Sequence, residues 1–302
     1  MGGYHEGQRA VQQRAGTSGA ADRLARGFHD ALPAGARDFL AEQPLLIAAG
    51  SGADGLVWAS PLTGPAGTPD ERTIAVAGGL PDGDPLAATL AAGPAPLGLL
   101  AIDLHTRRRI RINGTGAPAE DGLRISAERV FGNCPKYIAR RAPETAAPAG
   151  GGAGTERPEL DGRDRALIAA ADTFFLATTG PDGTADASHR GGSPGFVAVH
   201  DARRLTFPDY AGNTMYMSLG NVAATGRAGL LFVDWERGDI LQISGQAAID
   251  WSRERTVRFP GAQRVVDVAV ERVRAVGGVL PGRWVLEERS RFNPPAPVSS
   301  PA

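Results

Sequence analysis

The chain is poor in cysteine, lysine and aromatic residues, and neither sign of charge is in surplus. One cysteine in 302 residues, Cys134, excludes a disulfide framework and a cysteine-based zinc cluster. Lys136 is the only lysine, so 31 of the 32 basic residues are arginine; beside abundant Ala and Gly, this skew reflects genome composition. Basic and acidic residues number 32 and 33, for a net charge of -1, and there is no basic-aromatic patch. Both features argue against a nucleic-acid partner, which calls for a basic excess. No apolar run reaches the roughly 18 residues of a membrane span. The opening stretch, MGGYHEGQRAVQQRAG, lacks the apolar core of a secretory signal. The expected location is therefore cytoplasmic, with no membrane partner. Five histidines (His5, His29, His105, His189, His200) show no paired His/Glu ligand spacing, so no metal site is expected. No Gly-rich fingerprint follows a strand in a βαβ setting, which excludes a Rossmann domain.

What is present is an ordinary globular composition, 42% hydrophobic and 22% charged, at a length that suits two domains. Residues 1–27 read as a polar arm. A helix is expected over Phe28–Leu40, with Pro33 in its first turn. PLLIAAGSGADGLVWAS then reads as strand, turn, strand. Residues 142–162, rich in Ala, Pro and Gly, read as a linker. Beyond it, DRALIAAADTFFLATTGPDGTADAS repeats the grammar of helix, strand, Asp-Gly turn and strand. The end, 291–302, reads as a tail.

That recurrence is the most informative feature. Asp54–Gly64 aligns with Asp182–Gly192 at an offset of 128, with Asp, Gly, Ala, Ser and Gly coinciding. Gly98–Gly114 aligns with Gly229–Gly245 at an offset of 131, with Gly, Leu, Leu, Asp, Ile and Gly coinciding. Two blocks in the same order and near-equal spacing imply a duplicated domain, one copy over 28–141 and the other over 163–290. Each copy is mostly strands: Leu45–Ala48 and Phe174–Ala177, Thr73–Val76 and Arg204–Phe207, Leu97–Asp103 and Ala228–Asp234, Arg109–Ile112 and Ile240–Ile243. Helical patches stand at Pro85–Leu90 and Ser218–Ala224. The expected fold class is mainly β with flanking helices, each copy a small closed or nearly closed barrel.

FFLATTGPDGTADAS, HRGGSPGF, PDYAGNTMYMSLGNVAATGRAGLLFVD and GDILQISGQAAI together resemble the FMN-binding split-barrel family related to pyridoxamine 5'-phosphate oxidase. The first half, with YHEGQRAVQQRAG and VFGNCPKYIARR, is similar to the long two-copy members of that group. The resemblance implies two tandem split barrels packed as a pseudo-dimer, with flavin at their junction, because barrels of this family pair as homodimers. It leaves a further homodimer open. The implied function is an FMN-binding oxidoreductase-like protein acting with a small-molecule substrate or electron donor. The alternative is a non-catalytic binder of flavin, deazaflavin or haem, with His189 or His200 as the haem ligand.

A flavin mononucleotide needs donors and positive charge for its phosphate, and a slot with backbone donors for its flat ring. In the second copy, Arg190 suits the phosphate and Ser193 can donate. His189, Gly191, Gly192, Gly195 and Phe196 complete the loop after the strand. Asn213 lies in the turn YAGNT. Ser218 and Asn221 stand at an expected helix N-terminus, where free N–H groups favour an anion. The first copy is an internal control: Pro61 and Leu62 stand for His189 and Arg190, and Ala87 and Leu90 for Ser218 and Asn221. The second copy is thus expected to carry most ligand contacts, with the first structural or forming the other wall. No catalytic acid or base is assigned. Cys134 reads as a small apolar side chain, the alternative being a redox thiol whose pKa Lys136 lowers; Thr106–Arg109 reads as a solvated turn, the alternative being an anion contact from the first copy; Asp103 and Asp234 read as turn formers. Tyr210, Met215, Tyr216 and Met217 read as core, the alternative being that they line the ring; the four tryptophans read as packing.

Overall fold

The computed structural model describes residues 3–43, 45–132, 134–144, 151–152 and 154–295. Three helices, α1 (Glu6–Arg14), α2 (Ser18–Ala25) and α3 (Ala34–Ala41), lead into the first copy. That copy holds β1 (Leu45–Ser51), β2 (Val57–Thr63), β3 (Ala66–Gly67), β4 (Thr73–Ala77), α4 (Pro85–Ala92), β5 (Ala95–Asp103), β6 (Arg108–Ala119) and β7 (Gly122–Gly132). β8 (Arg140–Glu144), β9 (Thr155–Arg157) and α5 (Gly162–Ala170) connect the copies. The second copy holds β10 (Thr173–Thr179), β11 (Ala185–Gly191), β12 (Ala198–Val199), β13 (Arg204–Tyr210), α6 (Met217–Thr225), β14 (Arg227–Val233), β15 (Ile240–Asp250), α7 (Arg253–Thr256) and β16 (Ala262–Val276). β17 (Arg283–Glu288) returns to pair with β8.

The two sheets repeat each other strand for strand. The first runs β2-β1-β5-β6-β7-β4-β3 and the second β11-β10-β14-β15-β16-β13-β12, with β9 added on β16. Even an irregularity is duplicated. The ladder slips between Asn113 and Gly114 in one sheet and between Ser244 and Gly245 in the other. A Cβ on either glycine would strike a facing carbonyl, Ser126 O or Ala269 O, so the bulge requires glycine. Among the described residues the hydrogen-bond paths are open sheets rather than closed rings, although Thr63 bridges Gly79 near the ends of the first.

Four apolar clusters form among the described residues, the smallest of them Tyr4, Ala21, Phe28, Phe131, Met215 and Met217. One lies within the first sheet around Leu46, Ile74, Leu99 and Ile125, and one within the second around Phe174, Phe207, Leu230 and Val266. The third is shared between them and built from equivalent positions: Ile47 and Phe175, Ala59 and Ala187, Leu100 and Leu231, Ile102 and Val233. These alternate along each strand with the residues that face the sheet's own core, as the two-residue period of a strand requires. Two glycines let the sheets approach. A Cβ on Gly98 would lie 2.7 Å from Asp186 Cα, and one on Gly229 would lie 2.9 Å from Trp58 Cα. The contacts are the same in both directions, β5 on β11 and β14 on β2.

Several segments differ from the sequence expectation. The arm is helical in its described part, because α1 docks on α6 through buried Gln8, Val11 and Gln12. Residues 1–2 lie outside the described residues. The stretch read as a linker contains the end of β8, all of β9 and the first residue of α5, while 145–150 and 153 lie outside the described residues. The tail folds back as far as residue 295, and 296–302 lie outside the described residues. The first-copy helix is shorter than expected, starting after Pro33. Asp103 and Asp234 each accept backbone N–H groups two and three residues on, as turn formers do. Among the described residues no helix is long and apolar enough to cross a membrane.

Candidate functional site

β11 is an edge strand, and its two faces carry different chemistry. Asp186, Ser188 and Arg190 share the face of Leu176 and Phe174, whereas His189 lies beside Phe175 on the opposite face. Opposite this strand stands β6 of the first copy, which sends Arg109 and Arg111, two residues apart, to one face. Together with Lys136, Tyr137, the end of β13 and the start of α6, they line a cleft of about 790 Å³, its open mouth included. The cleft therefore lies at the junction of the two copies.

Its lining holds four cations, Arg109, Arg111, Lys136 and Arg190, against one carboxylate, Asp209. Arg190 Nη1 lies 2.6 Å from Asp209 Oδ1, and Arg264 Nε lies 3.5 Å from Asp209 Oδ2. Arg111 pairs with buried Asp186, which also accepts a bond from Ser218 Oγ at 2.8 Å. Ser188 Oγ is 3.0 Å from Ser218 Oγ. Arg109 is different. It donates to the Cys134 carbonyl and has no carboxylate partner among the described residues. Burial, then the Arg111 and Arg190 guanidiniums, push its pKa down to about 9, so it is cationic at neutral pH in surroundings that oppose its charge. Lys136 likewise has no ion pair among the described residues; its Nζ lies 5.4 Å from the Phe292 ring.

His189 is buried, and its Nε2 has no hydrogen-bond partner. Burial, followed by Arg109, Arg141 and Arg190, holds its pKa well below the ordinary value, so the ring is neutral. The backbone around the cleft is strained. Of four non-glycine residues with positive φ among the described residues, three line it: Tyr137 (φ 67°), Thr214 (62°) and Tyr216 (52°). Each costs on the order of 1–2 kcal/mol, and strain of this kind concentrates where a ligand is gripped. Tyr216 is the N-cap residue of the nine-residue α6 and makes no side-chain cap, and the first residues of that helix, Met217, Ser218 and Leu219, line the cleft. The Tyr137 and Tyr210 rings lie 5.2 Å apart, and Arg264 stacks 4.7 Å from the Tyr216 ring. The Tyr210 phenol is pushed up by burial and then by Tyr137, so it stays protonated.

Six of the ten residues expected at the site line this cleft: His189, Arg190, Gly191, Phe196, Asn213 and Ser218. Four do not. Ser193 Oγ donates to Pro294 O at 2.6 Å and Asn293 Nδ2 to Gly192 O at 2.7 Å, so the folded-back tail takes up that part of the loop. Gly195 supplies a turn at φ 84°. Asn221 faces away: His5 and Gln8 of α1 donate to its Oδ1 at 2.7 and 3.2 Å, and its Nδ2 donates to Thr178 at 3.0 Å. His200 is hydrogen-bonded to Thr206 and lies outside the cleft.

Sequence reasoning does not reach Arg111, Lys136, Tyr137, Ser188 and Asp209 as site residues; Arg109 stands in the cleft, as the alternative reading of its run, an anion contact from the first copy, had it. The run read as a solvated turn is split by the hairpin. Arg107 takes the turn at φ 61°, Arg108 lies over Phe39, and Arg109 enters the cleft. The available signal was Arg111, a charged residue inside an apolar strand. Among the described residues no cluster of His, Cys, Asp or Glu could hold a metal ion.

The family profile described as pyridoxamine 5'-phosphate oxidase matches residues 160–287. Solved structures that match part of the chain include HupZ of Group A Streptococcus, at 16% identity over 41% of this chain and 98% of that one, with a TM-score of 0.32. A putative pyridoxamine 5'-phosphate oxidase of Lactobacillus delbrueckii is 19% identical over 38% of this chain and 93% of its own, with a TM-score of 0.32. An F420 reductase is 18% identical over 40% and 94%, with a TM-score of 0.25. No curated protein matches the chain. The part of the chain that matches the pyridoxamine 5'-phosphate oxidase family is thus the second copy, with the α6 and β11 walls of the cleft.

Proposed function

We propose that the chain is a flavoprotein of the oxidoreductase type that binds FMN in the junction cleft, its two copies acting as split barrels in an internal pseudo-dimer. The observation that carries this reading is the unbalanced charge: among the described residues Arg109 and Lys136 have no carboxylate partner, and they stand with Arg190 beside a helix start that Tyr216 does not cap with its side chain. That donor set suits a phosphate close to a dianion. Tyr137, Tyr210 and Tyr216 flank the space a flat ring would take. The orphaned Nε2 of neutral His189 has the chemistry to meet the ring's polar edge.

Bound flavin would supply the electron or hydride transfer, with a small-molecule substrate or electron donor as partner. Arg109, Lys136 and Arg190 would hold the phosphate, Ser188 and Ser218 would offer hydroxyl donors, and the tyrosines would exclude water from the ring. A deazaflavin has a similar ring, and where it bears a phosphate group the same residues would hold it. A haem reading would fall to His189, the histidine of the cleft. The test is a titration of purified protein with FMN followed by quenching of flavin fluorescence. Saturable binding supports the proposal, and absence of binding refutes it. The visible spectrum of the protein as purified separates flavin from haem.

A further inference from the structure

The duplication implies a second cleft, related to the first by exchange of the copies. β2 stands for β11, α4 for α6 and β15 for β6, so Ser60 replaces Ser188 and Gln242 replaces Arg111. The ladders extend the match. Ile112 pairs with Val130 and Ile243 with Val273, which puts Arg274 where the first cleft has Phe131. In the first cleft the guanidinium is on β6, with Arg111 Cζ 5.0 Å from the Phe131 ring. In the second the guanidinium has moved one strand over, to β16, and an amide stands in its old place.

That arginine does not line an open cleft. Arg274 is 1% exposed; it donates to Gln242 Oε1 at 2.7 Å and to the Asp82 carbonyl at 2.5 Å. Gln242 Nε2 in turn donates to Asp84 Oδ2 at 3.0 Å and to Ser60 Oγ at 2.9 Å. Asp84 is the N-cap of α4, and its Oδ1 accepts from Leu86 N–H and from Ser60 Oγ. The two helix starts thus differ in one respect that matters for an anion. At α4 a buried carboxyl group of the chain already sits on the N–H groups, within an arginine-bearing network. At α6 the N-cap residue, Tyr216, makes no side-chain cap.

We propose that Asp84 is a built-in ligand: the second cleft is a phosphate-type site that the chain has closed with its own carboxyl group and Arg274. One phosphate-bearing cofactor then binds per chain rather than two. The stoichiometry rests on the function proposed above; the anion site itself does not.

Two measurements test this. Calorimetric titration of the full chain with FMN is expected to give one site per chain, and two sites would overturn the proposal. Inorganic phosphate, against sodium chloride of equal ionic strength, is then compared in thermal melts of Arg109→Met and of the double variant Asp84→Ala, Arg109→Met. Phosphate should raise the melting temperature of the double variant by several degrees more than that of the single one. Equal shifts would overturn the proposal. If Asp84→Ala does not fold, Asp84→Ser keeps an oxygen for Leu86 N–H and serves instead. Absence of any FMN binding would remove the cofactor reading, and the phosphate comparison would still decide this one.

Discussion

Replacing Arg109 by methionine should move stability and ligand affinity in opposite directions. The side chain is partly buried beside Arg111 and Arg190 and faces no carboxylate among the described residues. Its pKa falls from the usual guanidinium range to about 9. Below that value the guanidinium is charged in both folded and unfolded chains, so the whole penalty is present at pH 7. At face value the shift corresponds to roughly 4–5 kcal/mol. Partial exposure and the lost bond to the Cys134 carbonyl should reduce the net gain of the variant to about 1–3 kcal/mol. Methionine keeps the apolar stem and removes the charge. Without ligand, the variant should melt about 2–6 °C higher than wild type. A charge-assisted bond to phosphate is worth about 1.5–3 kcal/mol, so FMN affinity should fall by about 10- to 150-fold. Thermal melts with and without FMN, together with a fluorescence titration, measure both quantities. A variant that melts lower and binds FMN as tightly as wild type would refute the reasoning and make Arg109 a structural residue.

Other changes follow from the same geometry. Because folded His189 resists protonation, the unfolded chain binds more protons below about pH 6.5, and stability should fall there as pH drops. His189→Gln should remove a component of up to about 1.4 kcal/mol per pH unit, read by denaturant unfolding at pH 7.5 and 5; an unaltered pH dependence would count against the buried neutral ring. Gly229→Ala places a Cβ against the Val57 carbonyl and 2.9 Å from Trp58 Cα. It should destabilise by about 1–3 kcal/mol, and an unchanged melting temperature would contradict the close approach of the sheets. Asn221→Ala loses its bonds to His5, Gln8 and Thr178. It should cost about 1–3 kcal/mol and expose α1 to protease while leaving FMN affinity unchanged; weakened binding with α1 still protected would return Asn221 to the site.

The fold was legible where the chain repeats itself. The paired blocks mark equivalent strands because glycines at the bulges and in the inter-sheet contacts cannot be replaced, and apolar patterning supplies the remaining strand pairs and the two helices. β7 and β16 were not anticipated, although Leu123, Ile125 and Ala127 alternate with charged neighbours as a half-buried strand does. The repeat blocks stop short of them. The site was only half legible. Local spacing pointed to the β11 loop and the start of α6, but Arg109, Arg111 and Tyr137 reach the cleft from the other copy. Only the packing of the sheets brings them there. Asn221 shows the converse: its residue type suits a helix start, yet the docked α1 claims it.

The claim that a phosphate-bearing flavin sits among these cations is tested most directly by comparing FMN with riboflavin, which lacks the phosphate. Two charge-assisted contacts predict that FMN binds at least about 100-fold more tightly. Equal affinity for the two would contradict it, leaving Arg109, Lys136 and Arg190 with no part in holding a ligand.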